Sequence, residues 1–241
     1  MTDGLEPRLR GGRHGSVTGT PAVLILHGGR ESSTTPTTGL QLSYLRMLDM
    51  YTGLRRQAKD SAVYLLRYRV RGWNPTSPTP DPVADTRWAL ERISALHGDE
   101  PIALLGHSMG ARTAFAVADH PQVIGVCALA PWLPQGEALP PVRPTARFVI
   151  AHGTADQMTS AALSKVYARR LRSAGAVVAR FEFPGAGHAL LDDPVLWHRF
   201  AVRTTLGLVG DGPLPPAIVA ALGDTGPENF TLTLAQALRS T

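Results

Sequence analysis

Short apolar runs alternate with segments of helical periodicity along most of the chain. Six runs are almost entirely apolar and read as strands, over residues 21–29, 61–70, 101–107, 123–131, 146–153 and 176–185. Apolar residues recur at helical spacing over residues 40–58, 83–96, 109–120, 160–175 and 193–209. Strands that are apolar throughout are buried on both faces, as happens when helices connect parallel strands. The sequence therefore predicts an α/β fold, with a mostly parallel central sheet and helices on both faces.

Length and composition favour one domain. The chain has 241 residues, of which 44% are hydrophobic, and this suffices for one large core without metal or disulfide staples. We expect residues 1–209 to form that domain. Residues 210–241 have glycine-proline turn signals and two short apolar patches. We expect them to form a C-terminal tail that packs either on the body or on a partner chain, so a homodimer is one of the alternatives.

The cysteine count, the apolar segments and the charge indicate which cell compartment and which partners to expect. Cys127 is the single cysteine, so no intramolecular disulfide can form; this is typical of a reducing compartment, and we expect a cytoplasmic protein. The N-terminal segment has no apolar leader region, and no apolar stretch is long enough to span a membrane. The net charge of +5 comes from scattered arginines without an aromatic stacking motif, so we expect no nucleic-acid and no membrane partner.

The segment Gly-His-Ser-Met-Gly, at residues 106–110, stands where an apolar run ends and a helical pattern begins. It matches G-x-S-x-G, the spacing of a nucleophile elbow, in which the serine is strained on a tight strand-to-helix turn. The residues two positions away on either side must then be small, as Gly106 and Gly110 are. The pattern indicates that Ser108 is a nucleophile, although five residues alone also suit an ordinary strand-to-helix connection.

A serine hydroxyl needs a base to become a nucleophile, and the base needs a carboxylate that fixes its tautomer. Two later strands supply candidates at their carboxyl ends. Asp156 follows the run 146–153, and His188 lies in a glycine-rich loop after the run 176–185. Because reactive groups gather at the carboxyl ends of parallel strands, we expect Ser108, Asp156 and His188 to meet there.

Four segments at strand ends, LHGG, GHSMG, HGTAD and GAGH, resemble in content and order the motifs of the α/β-hydrolase superfamily of serine enzymes. The resemblance covers about residues 20–208. It implies an α/β-hydrolase fold and a catalytic triad, with Ser108 as nucleophile, Asp156 as acid and His188 as base.

Backbone amides near the serine complete the site that the resemblance implies. One oxyanion donor of the family is the amide after the nucleophile, here Met109, and a second comes from the loop after an earlier strand. Gly29 is the candidate for the second donor, with Arg30 as the alternate. Trp73, Trp132 and Met158 flank the motif loops and are the candidate substrate contacts. This chemistry requires no metal and no organic cofactor, and we expect none.

The connection over residues 131–145 is short where many relatives insert a lid, so no large cap domain and a fairly open site are expected. This minimal architecture resembles dienelactone-hydrolase-like proteins and small esterases. The elbow differs from that of true dienelactone hydrolases, which have cysteine, and from that of dehalogenases and epoxide hydrolases, which have aspartate. The segment GHSMGA also resembles stand-alone thioesterases of polyketide and peptide synthesis, but LHGGRESS does not match their usual early motif.

The expected function is a serine hydrolase that cleaves an ester, a thioester or a lactone of a small molecule through an acyl-enzyme. Two alternatives stay open at this point. The same triad serves acyl transfer, lyase, isomerase or cyclase chemistry on this scaffold, because a fold does not fix a function. The other alternative is a non-catalytic ligand-binding protein, against which the intact set of Ser108, Asp156 and His188 argues.

Overall fold

The computed structural model describes residues 5–12, 18–75, 77–224 and 232–233. Its strands form one sheet in the order β1-β3-β2-β4-β5-β6-β7-β8. The strands are β1 (Arg8–Gly11), β2 (Ala22–Leu26), β3 (Ala62–Arg67), β4 (Ile102–His107), β5 (Val123–Leu129), β6 (Arg147–Gly153), β7 (Val177–Phe183) and β8 (Leu232–Thr233). Strand β1 runs antiparallel to β3, and every other neighbouring pair is parallel.

Helices cover both faces of the sheet. They are α1 (Leu42–Gln57), α2 (Asp81–His97), α3 (Met109–Ala116), α4 (Ala161–Ser173), α5 (Pro194–Val209) and α6 (Pro216–Gly223). Buried side chains of α2, α3 and α4 share one apolar cluster with one side of the strands, and those of α1, α5 and α6 share the other. The predicted fold class, a mostly parallel sheet between two helical layers without a large cap, is confirmed.

The strand order places a crevice beside the first central strand. From β2 the chain crosses to β3 on one side and then returns to β4 on the other side of β2. Ligands of open α/β sheets bind outside the carboxyl ends of the strands at such a reversal. The segments that follow β2 and β4 therefore meet at the point where a ligand site is expected.

The structure adds elements that the apolar runs did not predict. Strand β1 is an exposed edge strand, so its short sequence Arg-Leu-Arg-Gly contains no apolar run that would predict a strand. Helix α6 begins at the second of two consecutive prolines, Pro215 and Pro216, and it packs on β7; proline suits the first helical position. Strand β8 consists of two residues beside β7. None of the described helices is both long and apolar enough to cross a membrane.

The first part of the predicted tail lies on the body. The Asp211 carboxylate accepts hydrogen bonds from the amides of Lys59, Asp60 and Ser61, and Ile218 is fully buried. The rest of the tail, apart from β8, lies outside the described residues. Packing on a partner chain and the homodimer stay predictions.

Candidate active site

The carboxyl ends of four parallel strands carry the residues that the sequence motifs single out. Gly28 and Gly29 follow β2, Ser108 follows β4, Asp156 lies beyond β6, and His188 lies beyond β7. The sheet brings these strand ends to one edge, because β2, β4, β5, β6 and β7 are consecutive in it.

The turn from β4 into α3 has the geometry of a nucleophile elbow. Ser108 has φ 57° and ψ −120°, a region that a non-glycine residue occupies only under strain. A Cβ atom on Gly106 would lie 2.5 Å from the carbonyl oxygen of Gly110, and a Cβ atom on Gly110 would overlap the backbone of Leu26 at the end of β2. The expectation that both flanking residues must be small is confirmed.

Replacing Gly110 by alanine is expected to lower the free energy of unfolding by about 2 kcal/mol, because rigid backbone surrounds the added methyl group. Thermal or urea unfolding measures the loss. Gly223→Ala is the matched control, since a Cβ atom there meets nothing within 4 Å. Equal stability of the two variants would contradict the close packing of the elbow against β2.

Three side chains form a hydrogen-bonded chain across the strand ends. The Oγ atom of Ser108 lies 3.0 Å from Nε2 of His188, and Nδ1 of His188 lies 2.8 Å from Oδ2 of Asp156. When Nδ1–H donates to the carboxylate, the lone pair of Nε2 accepts the serine proton. This arrangement has the order and the spacing of a nucleophile, its base and the acid that orients the base.

The carboxylate of Asp156 is fixed by several donors besides His188. Its Oδ1 accepts from the amides of Met158 and Thr159 at 2.8 and 2.9 Å, and Oδ2 accepts from the Thr159 hydroxyl at 2.8 Å. Burial raises the pKa of this carboxyl, but hydrogen bonds from His152, Thr159 and His188 outweigh burial and hold the pKa of Asp156 well below its usual range. Asp156 is therefore an anion throughout the ordinary pH range.

Two further residues contact the carboxylate: His152, whose place near a strand end suggests from the sequence that it lies close to Asp156, and Thr159, which the sequence did not single out. Nε2 of the fully buried His152 lies 3.2 Å from Oδ2 of Asp156. The hydroxyl of Thr159 lies within 3.3 Å of Asp156, His188 and His152. A threonine three residues after the aspartate is a signal for such a local turn, because Asp side chains often accept from the backbone two or three residues on. The signal for His152 is its position at the end of β6, four residues before Asp156, which predicts proximity to the carboxylate but not the hydrogen bond.

Two more buried histidines, His27 and His107, contact the backbone near the site. His107 donates from Nε2 to the backbone carbonyl of His188 at 3.0 Å, and the two rings lie 4.9 Å apart. His27 bonds through Nδ1 to the carbonyl of Gly28 at 2.7 Å. Both hold backbone near the serine. In the described part of the chain, no group of three or more His, Cys, Asp or Glu side chains is arranged to hold a metal ion.

Two backbone amides at the predicted oxyanion positions have no hydrogen-bond acceptor among the described residues. They are the amides of Met109, which directly follows Ser108, and of Gly29, which lines the same cavity as Ser108. The amide of Arg30 donates to the carbonyl of Arg71 at 2.8 Å. The alternate assignment of Arg30 is therefore corrected, because this bridge occupies the donor that an oxyanion would need.

A cavity of about 910 Å³ opens above Ser108 and His188. The partly exposed Trp132 and the exposed Met158 line it, together with residues of the connections after β2 and β3. No large cap covers it in the described part of the chain. The cavity is therefore an open cleft with the hydrogen-bonded serine at its floor.

The prediction that Trp73 contacts substrate is corrected. Trp73 is 5% exposed and does not line the cavity; it packs behind Trp132, with the ring centroids 6.2 Å apart. The guanidinium of Arg112 lies 3.9 Å from the Trp73 ring centroid and 4.5 Å from that of Trp132. Arg112 also pairs with Glu137 at 2.7 Å. Trp73 thus supports the cavity wall from behind.

The fold and the site define a hydrolase of the α/β type. The model of a family described as the alpha/beta hydrolase family matches residues 23–153, more than half of the chain. The chain belongs to the alpha/beta hydrolase family. Its identification from the strand-end motifs is confirmed. None of the curated proteins matches the sequence.

Several solved structures, a serine hydrolase and a carboxylesterase among them, share the fold at low sequence identity. Est1E from Butyrivibrio proteoclasticus with ferulic acid bound has a TM-score of 0.62 at 12% identity, covering 87% of this chain and 98% of that one. XC6422 from Xanthomonas campestris, a serine hydrolase without a lid, has a TM-score of 0.60 at 15% identity, covering 83% and 87%. The Bacillus cereus carboxylesterase has a TM-score of 0.56 at 18% identity, covering 83% and 95%.

Proposed function

We propose that the protein is a serine hydrolase that cleaves an ester or thioester of a small molecule, lactones included, through an acyl-enzyme. The chain of hydrogen bonds from Ser108 through His188 to Asp156, at the floor of an open cavity, carries this proposal. A bare serine hydroxyl is a poor nucleophile, and a strained elbow beside a neutral imidazole is how such enzymes activate it. The cytoplasmic location and the small-molecule partner stay predictions.

In the first half of the reaction, Oγ of Ser108 attacks the carbonyl carbon while Nε2 of His188 takes the hydroxyl proton. The carbonyl oxygen gains the negative charge, and the amides of Met109 and Gly29 donate to it. Each such donor contributes about 3 kcal/mol to the transition state. His188 then gives its proton to the leaving oxygen or sulfur, the bond to that atom breaks, and an acyl ester on Ser108 remains.

In the second half, water attacks the acyl carbon and gives a proton to Nε2 of His188. The tetrahedral species collapses, the acid leaves, and His188 returns the proton to Oγ of Ser108. Asp156 stays ionised and stabilises the imidazolium in both halves, as its lowered pKa requires. Trp132 and Met158 are the side chains that we propose to contact the substrate, since both line the cavity.

Hydrolysis of short p-nitrophenyl esters, thioesters and lactones tests the proposal. We expect the wild type to hydrolyse members of this panel and His188→Ala to lose kcat by at least about 10³-fold. His198→Ala on α5 is the control, because that ring packs against Gly53, away from the cavity. Full activity of His188→Ala, or no activity of the wild type on the whole panel, would contradict the proposal.

Isotopically labelled water separates hydrolysis from other uses of the triad. Hydrolysis through an acyl-enzyme places one labelled oxygen in the released acid. Acyl transfer to another acceptor, elimination and isomerisation leave the product acid unlabelled or form no acid. Transfer of the acyl group to an added alcohol in preference to water would replace hydrolysis by acyl transfer as the proposed activity.

A further inference from the structure

Two arginines lie in the wall of the cavity that contains Ser108. Arg71 is half-buried and Arg30 is exposed, and Glu31 is the acid that lines the cavity beside them. No carboxylate of the described residues lies within 4 Å of either guanidinium. The wall next to the reacting serine therefore has an excess of positive charge.

Several other arginines with limited exposure have carboxylate partners; the half-buried Arg46 and Arg67 have none among the described residues, but neither of them lines the cavity. Arg69 is paired with Asp85, Arg112 with Glu137 and Arg180 with Glu182. A half-buried guanidinium gains most from a planar, bidentate acid partner, because it has five donors in a rigid fork. Arg71 differs from the paired arginines, because it lines the cavity and its guanidinium has no carboxylate partner among the described residues.

The backbone and one side chain hold Arg71 in place. Its amide donates to the carbonyl of Thr35 at 3.0 Å, and its carbonyl accepts from Arg30 at 2.8 Å. With the Gln41 amide oriented so that both of its polar atoms are satisfied, its oxygen lies 3.2 Å from Nε of Arg71. The Nη groups of Arg71 have no partner among the described residues. An acid group that enters the cavity thus meets a guanidinium whose Nε is held by Gln41 and whose Nη groups are without a partner.

The surrounding charges favour an anion in the cavity. Arg46 and Arg67 lie close enough for their charges to lower the pKa values of His107 and His27, although burial is the main cause of both shifts. Asp156 is engaged by its own histidine, threonine and amide donors. The exposed Glu31 is left as the counter-charge in the cavity wall.

We propose that Arg71 is the specificity-determining residue of the site and binds an acid group of the substrate. The substrate is then an ester or thioester with a carboxylate within reach of its scissile carbonyl. This inference rests on the proposed hydrolase function and adds the charge of the substrate to it. The carboxylate belongs either to the acyl group or to the leaving group, and the experiment distinguishes these two cases.

Two pairs of matched esters test the proposal. The mono-p-nitrophenyl ester of glutaric acid and p-nitrophenyl pentanoate differ by a carboxylate in place of a methyl group on the acyl side. The esters 3-acetoxybenzoate and methyl 3-acetoxybenzoate differ by a charge on the leaving group. After subtraction of spontaneous hydrolysis, we expect the wild type to prefer the anionic ester of at least one pair by about 10-fold or more in kcat/KM.

Arg71→Gln should lower the anionic-to-neutral ratio of kcat/KM by about 10-fold or more, and Arg71→Lys should retain part of it, because a lysine keeps the charge and loses the fork. Arg199→Gln is the control; it removes the same charge from an exposed position on α5 and should keep the ratio. The neutral ester in each assay corrects for any general effect of a substitution on folding or on catalysis.

The outcomes separate this inference from the proposed function. If neutral and anionic esters are hydrolysed equally well and Ser108→Ala abolishes both activities, the hydrolase function holds and the acid-binding role of Arg71 is wrong. If Arg199→Gln lowers the ratio as much as Arg71→Gln, the preference comes from net charge and the role of Arg71 is again wrong. Hydrolysis that persists in Ser108→Ala would instead contradict the proposed function.

Discussion

Replacing Asp156 by asparagine is expected to lower kcat by about 10⁴-fold while the protein stays folded. Oδ2 of Asp156 accepts from Nδ1 of His188 and so selects the tautomer whose Nε2 lone pair faces Ser108. An asparagine at this position offers an N–H group to Nδ1 and stabilises the opposite tautomer. The imidazolium that forms in each transition state also loses its counter-charge.

Asp192→Asn is the matched control for this substitution. Asp192 is an exposed acid four residues after His188, and its carboxylate accepts from the amide of Gly187 at 2.7 Å. An asparagine oxygen accepts the same hydrogen bond, so we expect little change in kcat. Steady-state kinetics on one p-nitrophenyl ester, with circular dichroism to check the fold, measures both variants. A loss in Asp192→Asn equal to that in Asp156→Asn would contradict the assignment of the acid.

Acid is expected to destabilise the protein steeply below pH 6.5, because two buried histidines stay neutral in the fold. Burial lowers the pKa of His27 to about 4 and that of His107 to about 3, from an ordinary value of 6.5. The unfolded chain binds a proton at each ring near pH 6.5, whereas the folded chain does not bind it until about pH 4 or 3. Since the unfolded state then holds more protons, stability falls as the pH falls.

The expected loss is roughly 3 kcal/mol for each of these histidines by pH 4, a large part of the stability of an ordinary domain. Urea unfolding at a series of pH values between 7.5 and 4 measures it. His27→Asn keeps a donor in the place of Nδ1, and His107→Gln keeps one in the place of Nε2. Each variant should show a shallower fall of stability between pH 6.5 and 4.5, whatever its stability at pH 7.5.

Ile25→Val is the control for the pH series. It lies in β2 two residues before His27, is fully buried, and changes the core without removing a titratable group. Its stability should lie below that of the wild type by the same amount at each pH. A pH dependence of His27→Asn or His107→Gln that is parallel to that of the wild type would show that these rings are not the source of acid sensitivity.

The central strands and the elbow could be predicted because their signals are local. Strands β2 and β4 are apolar throughout, which predicts burial on both faces. The tight turn at Ser108 requires small residues at positions 106 and 110, where Gly106 and Gly110 stand. Strand β1 could not be predicted, because an exposed edge strand has no need of apolar residues. The sequence does not predict helix α6, because its eight residues form only a short apolar patch between the turn signals at Gly212-Pro213 and Gly226-Pro227.

The sequence does not predict contacts that arise from pairing between segments far apart along the chain. The amide of Arg30 is occupied because the segment after β2 forms hydrogen bonds with the segment after β3, and no spacing within either segment shows that register. The expectation that Trp73 contacts the substrate fails for a similar reason. Its position beside a motif loop is local, whereas its burial comes from packing against Trp132 and Arg112, which lie far along the chain.

The mass of the intact protein after treatment with a fluorophosphonate tests the central claim most directly. A fluorophosphonate phosphorus takes the place of the carbonyl carbon, and an activated serine displaces its fluoride. We predict that the wild type gains the mass of one phosphonyl group, that peptide mapping places the group on Ser108, and that Ser108→Ala gains none. A catalytically active protein that stays unmodified, or a modification that persists in Ser108→Ala, would contradict the account.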